Sequence, residues 1–224
     1  MAGIPVHRLD RERPSNRRAK VNSPFEEVYE DGRWGSRLGS GHGSLPRVTG
    51  PYRAFIQDFI RANDVKSVLD YGCGDWQFSR LMDWQGASYV GLDVVPGLID
   101  ENQRRYGREG VEFRVSPEDP SGLPPADLLV AKDVLQHLPN EDVTSFLATV
   151  APRYRMALLT NDTGVQPNVD ISIGDWRPLD LLAAPFEAHG TVVAVFRGPK
   201  VRSRNLRRRA SLNAWTKHTV LLRQ

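Results

Sequence analysis

The chain has one cysteine, Cys73, in 224 residues, so no internal disulfide can form and no cysteine-based zinc site can be built. Its five histidines are scattered without metal-ligand spacing, so no resident metal is expected. No apolar run approaches the roughly 18 residues a membrane span requires, and the opening MAGIPVHRLD lacks the apolar stretch of a secretion signal. These absences predict a soluble, cytoplasmic protein with no membrane partner. Acidic residues are missing from one region: residues 198–217 hold seven Lys/Arg and no Asp or Glu. Residues 1–20 carry a further net +4, so the formal total of +3 leaves −8 on the rest of the chain. The body is acidic, and its basic character is confined to two segments.

What is present suits one domain of ordinary size, since 40% hydrophobic residues suffice for a full core. Residues 1–24 are basic, polar and proline-punctuated and read as a flexible arm, either a solvated tail or a contact for phosphate and nucleic acid. Residues 25–48 begin with Phe25, Val28 and Tyr29 on one face of a short helix. The glycine- and serine-rich stretch around Trp34 follows and reads as a lid, a structureless linker with Trp34 filling a surface groove being the alternative. Residues 49–224 alternate strand-like and helix-like segments. Helices are expected over Thr49–Asn63, Pro96–Tyr106, Val134–Leu138 and Glu141–Val150. Strands are expected over Val111–Val115, Ala126–Ala131, Arg155–Thr160, Thr191–Phe196 and Lys217–Leu222.

The chain is organised around KSVLDYGCGDWQ. Val68, Leu69 and Tyr71 make a short strand, which Gly72-Cys73-Gly74 stops, and a crossover helix is predicted over Trp76–Asp83. Glycines at such a joint let a ligand lie against bare backbone, and the amides of a following helix favour an anionic group. The turn lacks the third glycine of a dinucleotide fingerprint, Gln77 standing in its place, and lacks the Lys-Ser/Thr pair of a P-loop. A second strand, Ser88–Leu92, ends in Asp93, nineteen residues beyond Gly74, where a carboxylate can accept both hydroxyls of a ribose.

Together, V-L-D-Y-G-C-G and Y-V-G-L-D resemble the first two motifs of the class I S-adenosylmethionine-dependent methyltransferases, over Val65 to Gln224. The resemblance implies an α/β, Rossmann-like fold with a seven-stranded, mostly parallel sheet, an antiparallel last strand and helices on both faces. It implies S-adenosyl-L-methionine as cofactor, with Asp70, Gly72, Cys73, Gly74, Asp93, Val94 and Lys132 around it. Trp76 and Gln77 would touch its methionine end, although core packing would suit them equally. Trp34 precedes an S-G-x-G-S run, Ser40 to Ser44, similar to segments that fold over the cofactor in bacterial relatives. An acidic residue five positions before a proline accepts the adenine amino group in the family. Counting back from Pro124 gives Asp119, with Glu118 a competitor and a turn cap the alternative for both.

For the acceptor side, Asp133, His137 and Asp162 follow the fourth and fifth strands and are the candidate catalytic groups. V-L-Q-H-L resembles the histidine-bearing segment of many small-molecule methyltransferases, and a buried or capping histidine is the alternative. A base matters for a hydroxyl acceptor, contributing around 10² to 10⁴ in rate, and is dispensable for an amine or an ionised group. Asn161, with Trp176 and Arg177 of the irregular stretch NVDISIGDWRPLDLLAAPF, are expected to bind substrate, surface packing of a structural loop being the alternative for that stretch. Arg204 joins them from the basic connection between the last two strands. The reading is methyl transfer to oxygen or nitrogen of a small acceptor bearing phosphate or carboxylate, in natural-product or sugar biosynthesis. Two rivals stand beside it, a nucleic-acid methyltransferase and a non-catalytic cofactor binder. Against the first, Arg197 to Ala214 contain no aromatic residue on which bases could stack. Oligomeric state is left open.

Overall fold

A computed structural model describes residues 24–33, 39–164, 167–198 and 216–224. The expectations for Trp34, Arg204 and residues 1–23 lie outside these residues. Seven strands form one sheet: β1 Ser67–Tyr71, β2 Ser88–Asp93, β3 Val111–Val115, β4 Leu128–Lys132, β5 Met156–Thr163, β6 Thr191–Arg197 and β7 Thr216–Arg223. Their order is β3-β2-β1-β4-β5-β7-β6, and β7 runs antiparallel between β5 and β6 while the other pairings are parallel. This is the class I methyltransferase architecture, with the mostly parallel sheet that the sequence pattern implied.

The central strands are apolar on both faces because helices and loops cover both. Val68, Leu128, Val130, Met156 and Leu158 point to one face and pack with Tyr52, Ile56 and Ile60 of α2 (Gly50–Ala62). Leu69, Leu129, Ala131, Ala157 and Leu159 point to the other, against Val143 of α4 (Asn140–Ser145) and Leu179 and Leu181 of the irregular stretch. α3 (Pro96–Tyr106) opens on its proline and follows β2. α1 (Pro24–Glu30) buries Val28 and Tyr29.

The expected crossover helix after β1 is absent. Trp76 adopts a left-handed backbone, φ 53°, and only a single 3-10 turn forms, at Ser79–Leu81. The cause is packing: the Trp76 ring is inserted among Tyr89, Tyr106 and Phe113, with centroids 5.1–5.5 Å apart. Trp84 and Met82 are buried too, so the irregular connection itself covers the sheet. No helix N-terminus therefore stands behind the glycine turn to favour an anion. One further helix is shorter than expected: Val134–Leu138 yields one 3-10 turn, Leu135–His137, ended by Pro139. The helix expected over Glu141–Val150 spans that length, with α4 widening into a π-turn over Phe146–Val150 before Pro152.

Candidate active site

Parallel strands β1 to β5 all end at one edge, and a single cavity runs along it. Taken in sheet order, its floor passes from Ser116 after β3, through Asp93 on β2 and the 70–74 turn of β1, to Lys132 and Asp133 of β4, Asp162 of β5 and Lys217 of β7. Its wall is formed by Phe25 and Tyr29 of α1, the Ser40–Ser44 segment and Trp176.

The β1–β2 end is shaped by backbone. Gly72 and Gly74 have φ of 75° and 57°, the left-handed region that glycine enters freely. The amides of Gly72 and Cys73 both donate to the Leu92 carbonyl at 2.8 Å, and Asn102 of α3 clamps the turn by donating to the Gly74 carbonyl at 2.7 Å. Asp93 accepts from the amides of Gly74, 3.1 Å, and Val95, 3.2 Å. Burial raises its carboxyl pKa to about 6 against those two bonds. Asp70 is likewise buried and raised to about 6, opposed by a 2.7 Å hydrogen bond from the Tyr89 hydroxyl. Two acidic groups and exposed backbone in a cleft suit a ligand rich in hydroxyl and ammonium donors. Burial pushes the Cys73 thiol up, which keeps it neutral and unreactive.

Ser40 closes this end. Its Oγ accepts from the Asp75 amide at 2.8 Å and lies 3.4 Å from the Tyr29 hydroxyl, so the Ser40–Ser44 segment and α1 are joined to the glycine turn. Gly43 crosses so close to β4 that an added Cβ would stand 2.9 Å from Asp133 Oδ2.

The β4–β5–β7 end is built from ions. Lys217 Nζ bridges Asp133 Oδ1 at 2.5 Å and Asp162 Oδ1 at 2.8 Å, and Lys132 Nζ lies 2.6 Å from Asp133 Oδ2. Both lysine side chains are only 5% exposed. Lys132 also donates to the Gly43 carbonyl at 3.0 Å and sits over the Tyr52 and Phe78 rings. Burial alone would raise the Asp133 pKa, but the two ammoniums outweigh it and hold the carboxyl well below its usual range. The same pairing keeps the Lys217 pKa raised in spite of burial. Asp133 itself has φ 59°, an uncommon conformation for a non-glycine residue, held by these partners. Asp162 accepts further from Gln136 Nε2, 3.4 Å, and Trp176 Nε1, 3.3 Å, and its amide donates to Gln136 Oε1 at 2.7 Å. His137 lines the same end with Nδ1 2.8 Å from the Asp175 carbonyl, which makes Nδ1 the protonated nitrogen and Nε2 the basic one. Burial lowers its pKa and keeps the ring neutral.

Of the residues singled out from sequence, Asp70, Gly72, Cys73, Gly74, Asp93, Val94, Lys132, Asp133, His137, Asp162 and Trp176 line this one cavity. The others do not. Trp76 is in the aromatic core, and Gln77 follows it outside the cavity lining. Asp119 is exposed and caps the turn at Pro120–Gly122 by accepting from Ser121. Asn161 is buried on β5, its parity opposite to that of Asp162. Arg177 is a buried strut: it donates to the Gln136 carbonyl at 3.3 Å and to Asn140 at 2.8 Å, fixing the irregular stretch to the segment that carries His137. Sequence reasoning passed over Lys217, Gln136, Tyr29 and Asn102. Lys217 showed only as one of seven cations in a basic stretch, at the start of a strand that also holds Thr216, His218 and Thr219.

No described helix is long and apolar enough to cross a membrane, and the described residues hold no cluster of three His, Cys, Asp or Glu fit for a metal. A methyltransferase domain family matches residues 46–197. Over 96 residues, 41% of this chain, the sequence is 36% identical to a trans-aconitate 2-methyltransferase of Methylobacterium nodulans; the match spans 33% of that protein. Two solved structures share the fold. The 1,6-didemethyltoxoflavin-N1-methyltransferase of Burkholderia thailandensis, with 1,6-didemethyltoxoflavin and S-adenosylhomocysteine bound, aligns at TM-score 0.60 and 19% identity over 89% of this chain and 86% of its own. The magnesium protoporphyrin IX methyltransferase of Synechocystis PCC 6803, with S-adenosylhomocysteine bound, aligns at 0.55 and 15% over 88% and 97%. The glycine turn, the sheet order and the family match over most of the chain agree, and the protein belongs to the methyltransferase domain family, the class I S-adenosylmethionine-dependent methyltransferases.

Proposed function

We propose that the protein transfers a methyl group from S-adenosylmethionine to an oxygen or nitrogen of a small, anionic acceptor. The observation that carries this is the division of one cavity along the sheet edge into a donor-accepting end at β1–β2 and an ionic end at β4–β5–β7. The residues fit the cofactor. Asp93 and Asp70 are buried carboxylates without a lysine or arginine in hydrogen-bond reach among the described residues, as ribose hydroxyls and an ammonium group require. Gly72 and Gly74 bare their backbone to the cavity and admit the close approach of Val134 and Ser40, which an added Cβ would meet at 2.4 and 2.1 Å. The cofactor supplies an electrophilic methyl group on a sulfonium, so the chain has little covalent chemistry to perform.

The chain's own task is to orient and desolvate the acceptor and to remove a proton where the acceptor is a hydroxyl. His137 is suited to that task through Nε2, because its Nδ1 proton is committed to the Asp175 carbonyl. Asp133 and Asp162 are scaffold anions for Lys132 and Lys217. Two features support an anionic acceptor, beside an ionic end whose lysines are balanced by Asp133 and Asp162. The connection between β6 and β7 carries six Lys/Arg and no acid over residues 198–215, and its flanking residues Arg197 and Thr216 pair at the same sheet edge, Thr216 also pairing with Thr163. The relative from Methylobacterium nodulans is named for trans-aconitate, a carboxylate.

The test is calorimetric titration of S-adenosylmethionine and S-adenosylhomocysteine into wild type and Asp93→Ala. Loss of a hydrogen bond to a charged group costs about 1.5–3 kcal/mol, roughly 10- to 150-fold in Kd. Unchanged affinity in the variant refutes the assignment of the β1–β2 end. A screen of carboxylates and phosphates for S-adenosylhomocysteine release, with neutral and cationic acceptors alongside, then decides the acceptor class.

A further inference from the structure

Tyr89 lies on β2 four residues before Asp93, fully buried and outside the cavity. Its ring packs against Trp84, Trp76 and Phe113 with centroids 4.5–5.9 Å away, so as an apolar body it needs no explanation. Its hydroxyl does. That hydroxyl donates to Asp70 Oδ2 at 2.7 Å, from inside the core to the one carboxylate that β1 presents to the cavity. A phenylalanine would have packed as well without bringing a polar atom into an apolar cluster, and a buried hydroxyl costs free energy unless it is paired.

We infer that Tyr89 is a positioning residue for the cofactor end of the cavity: its hydroxyl fixes one oxygen of Asp70, keeping the carboxylate ionised and its other oxygen turned to the ligand's ammonium group. The inference rests on the cofactor reading given above. The groups facing Asp70 bear it out. β2 contributes Tyr89 and, at its end, the like charge of Asp93; β4 contributes Lys132; the turn contributes Cys73, held as a neutral thiol; α2 contributes the buried hydroxyl of Tyr52. Of these only Tyr89 makes a hydrogen bond to Asp70, and Lys132 spends its ammonium on Asp133 and the Gly43 carbonyl. Burial and Asp93 both favour the protonated form, so the phenol is the direct bond that opposes them. A protonated Asp70 would present a neutral group to a cation.

The perturbation is Tyr89→Phe, which keeps the ring and removes one oxygen. A donor to the charged form lowers a pKa, so its removal raises that of Asp70, by about one to two pH units for a hydrogen bond to a charged group. Two measurements read this. In the ligand-free protein, the ¹³C carboxyl resonance of Asp70, assigned with Asp70→Asn, should titrate with a midpoint about one to two units higher in Tyr89→Phe than in wild type; coincident midpoints overturn the inference. Calorimetric titration of S-adenosylmethionine at pH 6.5, 7.5 and 9 should show the variant binding roughly three- to 25-fold more weakly at pH 6.5 and approaching wild type at pH 9. A deficit equal at all three pH values is a packing defect and overturns it, as does no deficit. Failure of the wild type to bind at any pH overturns the functional reading and the ligand assigned here. The carboxyl midpoints would then still decide whether Tyr89 controls Asp70.

Discussion

Lys217 is the residue on which the ionic end of the cavity depends, and Lys217→Met tests that dependence. The side chain is 5% exposed and its ammonium bridges Asp133 and Asp162 at 2.5 and 2.8 Å. Methionine keeps most of the volume and removes the charge. Asp133 would retain Lys132 at 2.6 Å, but Asp162 would be left with two neutral donors at 3.3 and 3.4 Å, both long for a carboxylate. Removing one partner of a buried pair costs about 3–5 kcal/mol, because the other charge stays buried without compensation. For a domain of this size that is a fall in Tm of roughly 6–20 °C. The assay is urea denaturation with a double-mutant cycle. Lys217→Met should lower stability by about 3–5 kcal/mol, and adding Asp162→Asn to it should recover about 1–3 kcal/mol, since the stranded charge is then gone. A single variant within about 1 kcal/mol of wild type, or a double variant no more stable than the single, would refute the view that Lys217 neutralises Asp162.

Gly74→Ala places a Cβ against Ser40 Oγ at a φ of 57°, which breaks the bond from the Asp75 amide and costs a left-handed non-glycine residue about 1–2 kcal/mol. Calorimetry should show cofactor affinity at least tenfold weaker; wild-type affinity would show that the turn tolerates a side chain. For a hydroxyl acceptor, His137→Gln should leave cofactor Kd within about threefold and lower kcat by around 10² to 10⁴. An unaltered kcat would remove His137 as base. Asp70 and Asp93 have folded pKa values near 6, above the unfolded value of about 3.9, so the folded chain binds more protons between these limits. The stability they contribute is therefore full below about pH 4 and lost as pH rises through 6, on the order of 3 kcal/mol each. Ligand-free Asp93→Asn should lose less stability than wild type between pH 4 and 6.5 in urea titrations. Equal losses in the two proteins would contradict the raised value.

Much of this was legible in the chain because parallel strands buried on both faces read as short apolar runs with glycine or proline at their ends, as in Val68–Tyr71 and Leu128–Lys132. The 70–74 turn and Asp93 were legible for the same reason, since each stands where a strand stops, whereas Phe25 and Tyr29 reach this end from α1. Two things were not. Trp76 and the residues after it carry a helix-like pattern, but the aromatic slot formed by Tyr89, Tyr106 and Phe113 outweighs that local preference and demands a left-handed backbone. Lys217 was visible only as one of seven cations in a basic stretch. Its burial is a matter of register, since β7 pairs Lys217 with Asp162 and Thr219 with Thr160, and no local pattern encodes pairing between segments so distant in the chain.

Under the proposed function, that register also separates the three candidate bases. Read from sequence, Asp133, His137 and Asp162 are three equivalent candidates at neighbouring strand ends. In the folded protein the two carboxylates each hold an ammonium, and proton uptake by Asp133 would have to break its pairs with Lys132 and Lys217. Its depressed pKa makes it a poor proton acceptor at neutral pH, while its strained backbone and close approach to Gly43 mark it as the point where β4, β7 and the Ser40–Ser44 segment are tied together. His137 is fixed instead by the Asp175 carbonyl, a neutral partner that sets its tautomer without supplying charge. Burial lowers its pKa, so the basic form is already present at neutral pH and remains so as pH rises. Turnover of a hydroxyl acceptor should then fall only on the acid side, through an ionisation below the ordinary histidine value, and that limb should vanish in His137→Gln. A limb that persisted in the variant would return the role to a carboxylate and require the Lys217 bridge to open during catalysis.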